Sequence, residues 1–128
     1  MRRRVVLLAC VAPLLLAAPA AVECLKANTD GQVAQGQLTI GRAKDAAGRL
    51  ERPYILQLAA PACMEGSEPD DNVKSTMTIH VSASNDRMLA RFRPLVGKRV
   101  EVRGNPFPAH TSHHHAPIVM LVEAIVAR

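Results

Sequence analysis

Short stretches in which apolar and polar residues alternate dominate this chain of 128 residues. Such alternation places every second side chain on the same face and is typical of β-strands with one buried face. In residues 54–58, for example, Tyr54, Leu56 and Leu58 define one apolar face. The pattern and the intervening turn residues predict five strands, at about residues 33–42, 53–60, 75–81, 98–103 and 118–126.

The residues within and between these strands set three further expectations. Residues 61–72 include four acidic side chains and are predicted to form a loop after the second strand. In the third strand, Met77, Ile79 and Val81 occupy alternate positions, so we expect all three to point into the core. The run Gly-Asn-Pro-Phe-Pro at residues 104–108 is expected to end the fourth strand, because proline has no N–H to donate.

Between the third and fourth strands the apolar spacing changes to that of a helix. Met88, Leu89 and Phe92 share one face, Ser84 is the predicted N-cap, and Pro94 ends the helix after about two turns. The order is therefore three strands, one short helix and two strands. That order is typical of the five-stranded OB-fold barrel, whose ligands commonly meet the first-to-second and fourth-to-fifth connections. We predict a mainly β protein with a small OB-like barrel.

The first two dozen residues have the order of a secretory signal peptide. Three arginines at positions 2–4 precede an apolar run from Val5 to Leu16, and small residues follow. The apolar run is shorter than the ~20 residues that span a bilayer, so we expect no stable membrane span. We expect cleavage after Ala20 or Ala21, which makes residues 1–20 the signal peptide and 21–128 a single domain, periplasmic or secreted.

Export changes how the charge is interpreted. The formal net charge of the whole chain is +5, but without the three arginines of the signal peptide 13 basic residues face 11 acidic ones, a net charge of +2. Tyr54, Phe92 and Phe107 are the only aromatic residues, too few for a platform on which single-stranded nucleic acid stacks. We therefore expect no nucleic-acid partner, and instead a small ligand or another envelope protein.

The cysteines point to a structural disulfide. Cys10 leaves with the signal peptide, and Cys24 and Cys63 remain as one pair. In an oxidising compartment two cysteines in a small domain usually form a disulfide. Neither cysteine has the neighbouring cysteine of a redox motif, which argues against a catalytic role.

Four of the five histidines lie in the connection between the fourth and fifth strands. If that segment is extended, alternate side chains share a side, so His110, His113 and His115 are the candidate ligands for zinc or copper. His114 then faces the other way as a packing group. For an organic ligand, the candidate contacts are His110, Thr111 and His114. A third interpretation is a plain polar loop.

No catalytic residue can be assigned from the sequence. The acidic side chains of residues 65–71 lack the spacing of a calcium-binding EF-hand, and Ser112 beside His113 has no orienting acid nearby in sequence. Two hypotheses from different classes remain. One is a non-catalytic envelope binding module that uses the histidine-rich loop. The alternative is a small metal-dependent enzyme, a hydrolase, with the same histidines as ligands or bases.

Several motifs together are similar to those of a known bacterial family. They are YILQL at residues 54–58, PAC at 61–63, RPLVGKRV at 93–100, VRG at 102–104 and AHTSHHHAP at 109–117. In these motifs the chain resembles the domain of unknown function called DUF4431. The resemblance implies an exported bacterial protein and supports the pairing of Cys24 with Cys63. It implies no activity.

Overall fold

The protein is described from a computed structural model, which describes residues 7–15 and 23–128. The arginines at positions 2–4 and the predicted cleavage positions, Ala20 and Ala21, lie outside these residues. Within the described part of the chain, no helix is both long enough and apolar enough to cross a membrane.

Five long strands and one short helix make up the domain. The strands are β1 (Gln32–Ile40), β2 (Tyr54–Glu65), β3 (Val73–Ala83), β4 (Arg99–Pro108) and β5 (Ile118–Ala127), and the helix is α1 (Asp86–Phe92), between β3 and β4. Shorter elements are the two-residue strands Leu25–Lys26, Ala43–Lys44 and Leu50–Glu51, and the 3-10 turns Pro69–Asp71 and Arg93–Leu95. All five predicted strands and the predicted helix are present.

The five strands close into a barrel. β1 pairs antiparallel with β2 and with β4, β2 pairs antiparallel with β3, and β4 pairs antiparallel with β5. β3 and β5 run parallel, from Ile79 opposite Ile118 to Ala83 opposite Val122, and this pairing closes the sheet. The strand order is that of an OB-fold, so the predicted fold class is confirmed.

Apolar side chains from every strand fill the barrel. Each strand contributes at least one completely buried residue: Leu38, Leu56, Ile79, Val102 and Val122. Burying a side chain of this size contributes about 1.5–3 kcal/mol, so the core provides the main stabilisation of the fold. α1 packs against β3 and β5, and its Phe92 is completely buried with its ring 5.2 Å from that of Tyr54.

One predicted inward residue of β3 is on the outside. Met77 is 45% exposed, whereas Thr76 is buried. The reason is an irregularity in the pairing with β2, where Gln57 lies opposite Thr78 but Ala62 lies opposite Thr76. The Thr76 hydroxyl donates to the carbonyl of Thr78 and accepts from its N–H, which satisfies this buried side chain locally. The alternation therefore shifts between Thr76 and Ile79.

Two predicted boundaries are wrong by a few residues. Asn85 rather than Ser84 caps α1, with its side-chain oxygen 2.9 Å from the N–H of Met88. β2 continues to Glu65, so Cys63 lies in a strand and not in a loop. Each difference follows from a tertiary contact or a local turn that the alternating pattern does not contain.

β4 runs through the two prolines that were expected to end it. The carbonyl of Pro106 accepts from the N–H of Asn28, 2.7 Å away, so the backbone of Pro106 faces the side of β4 that carries β1. The N–H and C=O of one strand residue point the same way, and β1 pairing ends at Gly104. The missing N–H of Pro106 therefore removes no bond from the pairing with β5.

A disulfide between Cys24 and Cys63 ties the N-terminal segment to β2, with the two Cα atoms 4.6 Å apart. The predicted pairing is confirmed. Directly after Cys24, the short strand Leu25–Lys26 pairs parallel with Met64 and Glu65. Cys10, which lies within the described residues, is exposed and not disulfide-bonded.

We expect loss of this disulfide to destabilise the barrel without changing its fold. The bond closes a loop with a sequence separation of 39. On the chain-entropy model such a cross-link is worth about 3–4 kcal/mol. Urea unfolding of the double variant Cys24→Ala, Cys63→Ala should show a loss of this size against the oxidised protein. An unchanged midpoint would mean that the closed loop does not restrict the unfolded chain.

The close approach of β4 and β5 at Gly104 gives a second prediction. A Cβ there would overlap the backbone carbonyl of Leu121, beside a bulge that leaves Glu123 unpaired. Gly104→Ala must separate two strands and should cost about 2–3 kcal/mol. Gly48→Ala is the control, because Gly48 has φ +78° and open space around it. It should cost only about 1 kcal/mol of backbone strain. Equal losses in urea unfolding would refute the steric account.

Candidate functional site

The connection between β4 and β5, residues 109–117, is a tight turn. Its ends are held together by the N–H of Ala109, which donates to the carbonyl of Pro117 over 3.1 Å. Inside it, the carbonyl of Thr111 accepts from the N–H of His114, and the Thr111 hydroxyl accepts from the N–H of His113. The segment is thus turned here rather than extended, and its side chains do not simply alternate.

The connection between β1 and β2 is a small hairpin built around Asp45. One carboxylate oxygen of Asp45 accepts from the N–H groups of Ala47 and Arg49, each 2.9 Å away, and the other accepts from the Arg49 guanidinium at 3.0 Å. These bonds, with the Arg49 N–H first, lower the pKa of Asp45 below its usual value. The carboxylate is therefore charged and fixed in place.

Glu51, at the end of this hairpin, joins it to the histidine-rich turn. Its Oε1 lies 2.8 Å from Nδ1 of His113 and 3.5 Å from Nε2 of His115. The ligand atoms of Asp45, Glu51 and His113 all lie within 4.8 Å of one another. We call Asp45, Glu51, His113 and His115 the loop junction. It brings two carboxylates and two imidazoles together at the two connections where OB-folds commonly bind ligands.

His80, on β3, contacts His115 of the loop junction. Its Nδ1 accepts from the N–H of His115 over 3.2 Å, and the two rings are stacked with centroids 5.8 Å apart. A nitrogen that accepts a hydrogen bond carries no proton, so the His80 ring is neutral here. Burial lowers the pKa of His80, and positive charge on His115 and His114 would lower it further, while Glu51 opposes both effects.

The other two histidines form a separate group with Phe107. The N–H of His110 donates to Nδ1 of His114 over 3.1 Å, and the two rings lie 4.7 Å apart. Both rings also pack against Phe107, with centroids 5.6 Å and 5.4 Å away. Burial, followed by the charge of His110, lowers the pKa of His114. This group presents rings packed edge to face or tilted against one another rather than converging ligand atoms.

The residues predicted from the sequence are thus divided between the two groups. Of the proposed metal ligands, His113 and His115 reach Glu51, whereas His110 turns to His114. Of the proposed organic-ligand contacts, Thr111 shapes the turn, and His110 and His114 pack together.

Sequence reasoning missed Asp45, Glu51 and His80. Glu51 lies 62 residues before His113, and only closure of the barrel brings them together.

The comparisons with known proteins cover the histidine-rich turn of this site but not the β1–β2 hairpin. The model of the family described as Domain of unknown function (DUF4431) matches residues 78–126, which confirms the family resemblance noted in the sequence. The matched segment contains α1, β4, the histidine-rich turn and nearly all of β5. It does not contain the hairpin that carries Asp45 and Glu51. No curated protein matches the chain.

The neutral His80 ring makes the stability of the barrel sensitive to pH. The pKa of His80 lies below the ordinary histidine value in the folded protein, and in the unfolded chain it returns to about 6.5. Below that value the unfolded chain binds a proton that the folded protein does not, so stability falls as the pH falls through about 6.5. His114 adds an effect of the same sign.

This effect can be measured by urea unfolding between pH 7.5 and 5.5 in the presence of a chelator. We expect the free energy of unfolding to decrease with falling pH in the natural protein, and less steeply in His80→Gln. The glutamine keeps an acceptor for the His115 N–H but does not titrate. Parallel pH profiles for the two proteins would contradict the role assigned to His80.

Proposed function

We propose that this protein is an exported, non-catalytic binding module and that the loop junction is its ligand site. One observation carries the proposal. A single oxygen of Glu51, on the β1–β2 hairpin, contacts both His113 and His115 on the β4–β5 turn. The two connections therefore form one composite surface. OB-folds use these same connections to hold ligands, which is support by analogy of fold.

The arrangement of side chains favours binding over catalysis. Nucleophilic catalysis needs a hydroxyl or thiol hydrogen-bonded to a base. Among the described residues, no serine, threonine or cysteine side chain donates a hydrogen bond to a histidine ring, and Cys24 and Cys63 form a disulfide. Ser112 is exposed at the tip of the turn. A hydrolase with a protein nucleophile therefore has no support among the described residues. The metal-dependent alternative would use a metal-bound water instead, and it needs an open coordination position beside the histidines.

Export is supported by two independent features. The N-terminal residues have the charged, apolar and small-residue order of a signal peptide. The Cys24–Cys63 disulfide suits an oxidising compartment such as the periplasm and is rare in the cytosol.

Native mass spectrometry tests both parts of the proposal. The full chain, without an affinity tag, is produced in a bacterium with an outer membrane, and its periplasm is collected. We expect a protein that begins at Ala21 or one residue later and that gains two hydrogen atoms on reduction. Part of it should carry a non-covalent adduct at the loop junction.

Matched variants locate the adduct. Glu51→Gln combined with His113→Gln should remove it. Glu65→Gln should not, because Glu65 is an exposed carboxylate at the opposite end of β2. Protein that keeps residues 1–20 in the cytoplasm would refute export. Periplasmic protein without an adduct, or an adduct that survives the double substitution, would refute the ligand site.

A further inference from the structure

We propose that the loop junction binds one divalent transition metal ion, zinc or copper(II), through Asp45, Glu51, His113 and His115. The inference rests on the proposed function, because it names the ligand of the same site. It differs from the histidine-only set considered in the sequence, since two of the four ligands come from the β1–β2 hairpin and His110 is not among them.

The chemistry of the donor atoms favours this class of ion. Imidazole nitrogen and carboxylate oxygen together suit zinc and copper(II), whereas calcium and magnesium take oxygen ligands almost alone. The carboxylates of Asp45 and Glu51 supply two negative charges, and that of Asp45 is already paired with the Arg49 guanidinium. Asp45 is fixed in place by its bonds to the hairpin backbone and to Arg49.

The distances at Glu51 are close to those that a metal ion needs. Zinc binds nitrogen and oxygen at about 2.0–2.1 Å, which places neighbouring tetrahedral ligand atoms about 3.3 Å apart. The distance from Glu51 to Nε2 of His115 is 3.5 Å, and that to Nδ1 of His113 is 2.8 Å. The ligand atoms of Asp45, Glu51 and His113 already lie within 4.8 Å of one another, whereas His115 is outside that group. Entry of an ion therefore requires both His113 and His115 to move toward a common centre. The His113 side chain is 61% exposed, so little packing opposes its movement.

An independent observation at His115 also points to a ligand. Its side chain is only 11% exposed, and Nε2 is buried without a hydrogen-bond partner in the part of the chain that the structure describes. Buried polar atoms are nearly always paired, and an unpaired one calls for an explanation. Nε2 lies near Glu51 in a geometry that makes no hydrogen bond, and a metal ion bound to Glu51 would pair it.

A backbone hydrogen bond and a ring contact place His115 against His80. The backbone N–H of His115 donates to Nδ1 of His80, and the stacked His80 ring restricts rotation of the His115 imidazole. His80 is thus a positioning residue for His115.

Titration calorimetry with zinc chloride and with copper(II) chloride, each alone, tests the site. The untagged, disulfide-bonded protein is purified from the periplasm and stripped of metal with a chelator. We expect one ion per chain for at least one of the two metals. Glu51→Gln and His113→Gln should each weaken binding by at least about tenfold. His110→Gln is the matched control in the same turn and should bind as the natural protein does.

A second measurement guards against a variant that is simply misfolded. In thermal unfolding, the metal that binds in calorimetry should raise the midpoint of the natural protein and of His110→Gln, because a ligand of the folded state stabilises it. It should not raise the midpoint of Glu51→Gln. A lower midpoint of Glu51→Gln without metal would report a folding defect separately from lost binding.

The possible results separate this inference from the proposed function. No one-to-one binding of either metal, or equal weakening by His110→Gln and His113→Gln, would overturn the metal site. If the periplasmic protein then still carried an organic adduct that Glu51→Gln with His113→Gln removes, the binding module would stand and only the metal would be wrong. Absence of both metal binding and an adduct would overturn both.

Discussion

The parallel pairing of β3 with β5 is the constraint on which the rest of the structure depends. It closes the barrel, and it sets Ile118 at the start of β5 opposite Ile79. Only Ala116 and Pro117 separate His115 from Ile118, so this register brings His115 next to His80 on β3. The turn is short because Pro108 and Ile118 are themselves paired across β4 and β5. A shift of β5 along β3 would separate the two histidines.

The same closure gives Glu51 its position between two loops. Ile55 at the start of β2 lies opposite His80 on β3, and His80 lies opposite Val119 at the start of β5, so the hairpin before β2 comes close to the turn before β5. Glu51 then lies against His113 and His115 although they are far apart in sequence. This contact also explains why the histidines divide into two groups. Those that reach the hairpin form a polar junction, and those that do not, His110 and His114, pack against Phe107.

The fold could be predicted from the sequence because its signals are local. Alternation in residues such as Tyr54 to Leu58 identifies strands, and two remaining cysteines identify their own pairing. The errors are at places where a tertiary contact overrides the pattern. Met77 is exposed because of the irregular pairing of β2 with β3, and Pro106 continues a strand because its missing donor faces away from β5.

Only the histidine part of the site could be predicted from the sequence. The cluster of histidines is visible in the sequence, but the choice among them depends on the turn around Thr111, which replaces the extended segment that the alternation argument requires. Asp45 and Glu51 carry no signal of their own, since acidic residues in a polar hairpin are common and their partners lie more than sixty positions away.

The metal site is tested most directly by anomalous diffraction from crystals of the protein grown with the metal that binds in solution, recorded on both sides of the absorption edge of that metal. We expect one strong peak in contact with Glu51 and His113, with His115 turned toward it. A principal peak between His110 and His114, or no ordered peak on the chain at all, would contradict this expectation.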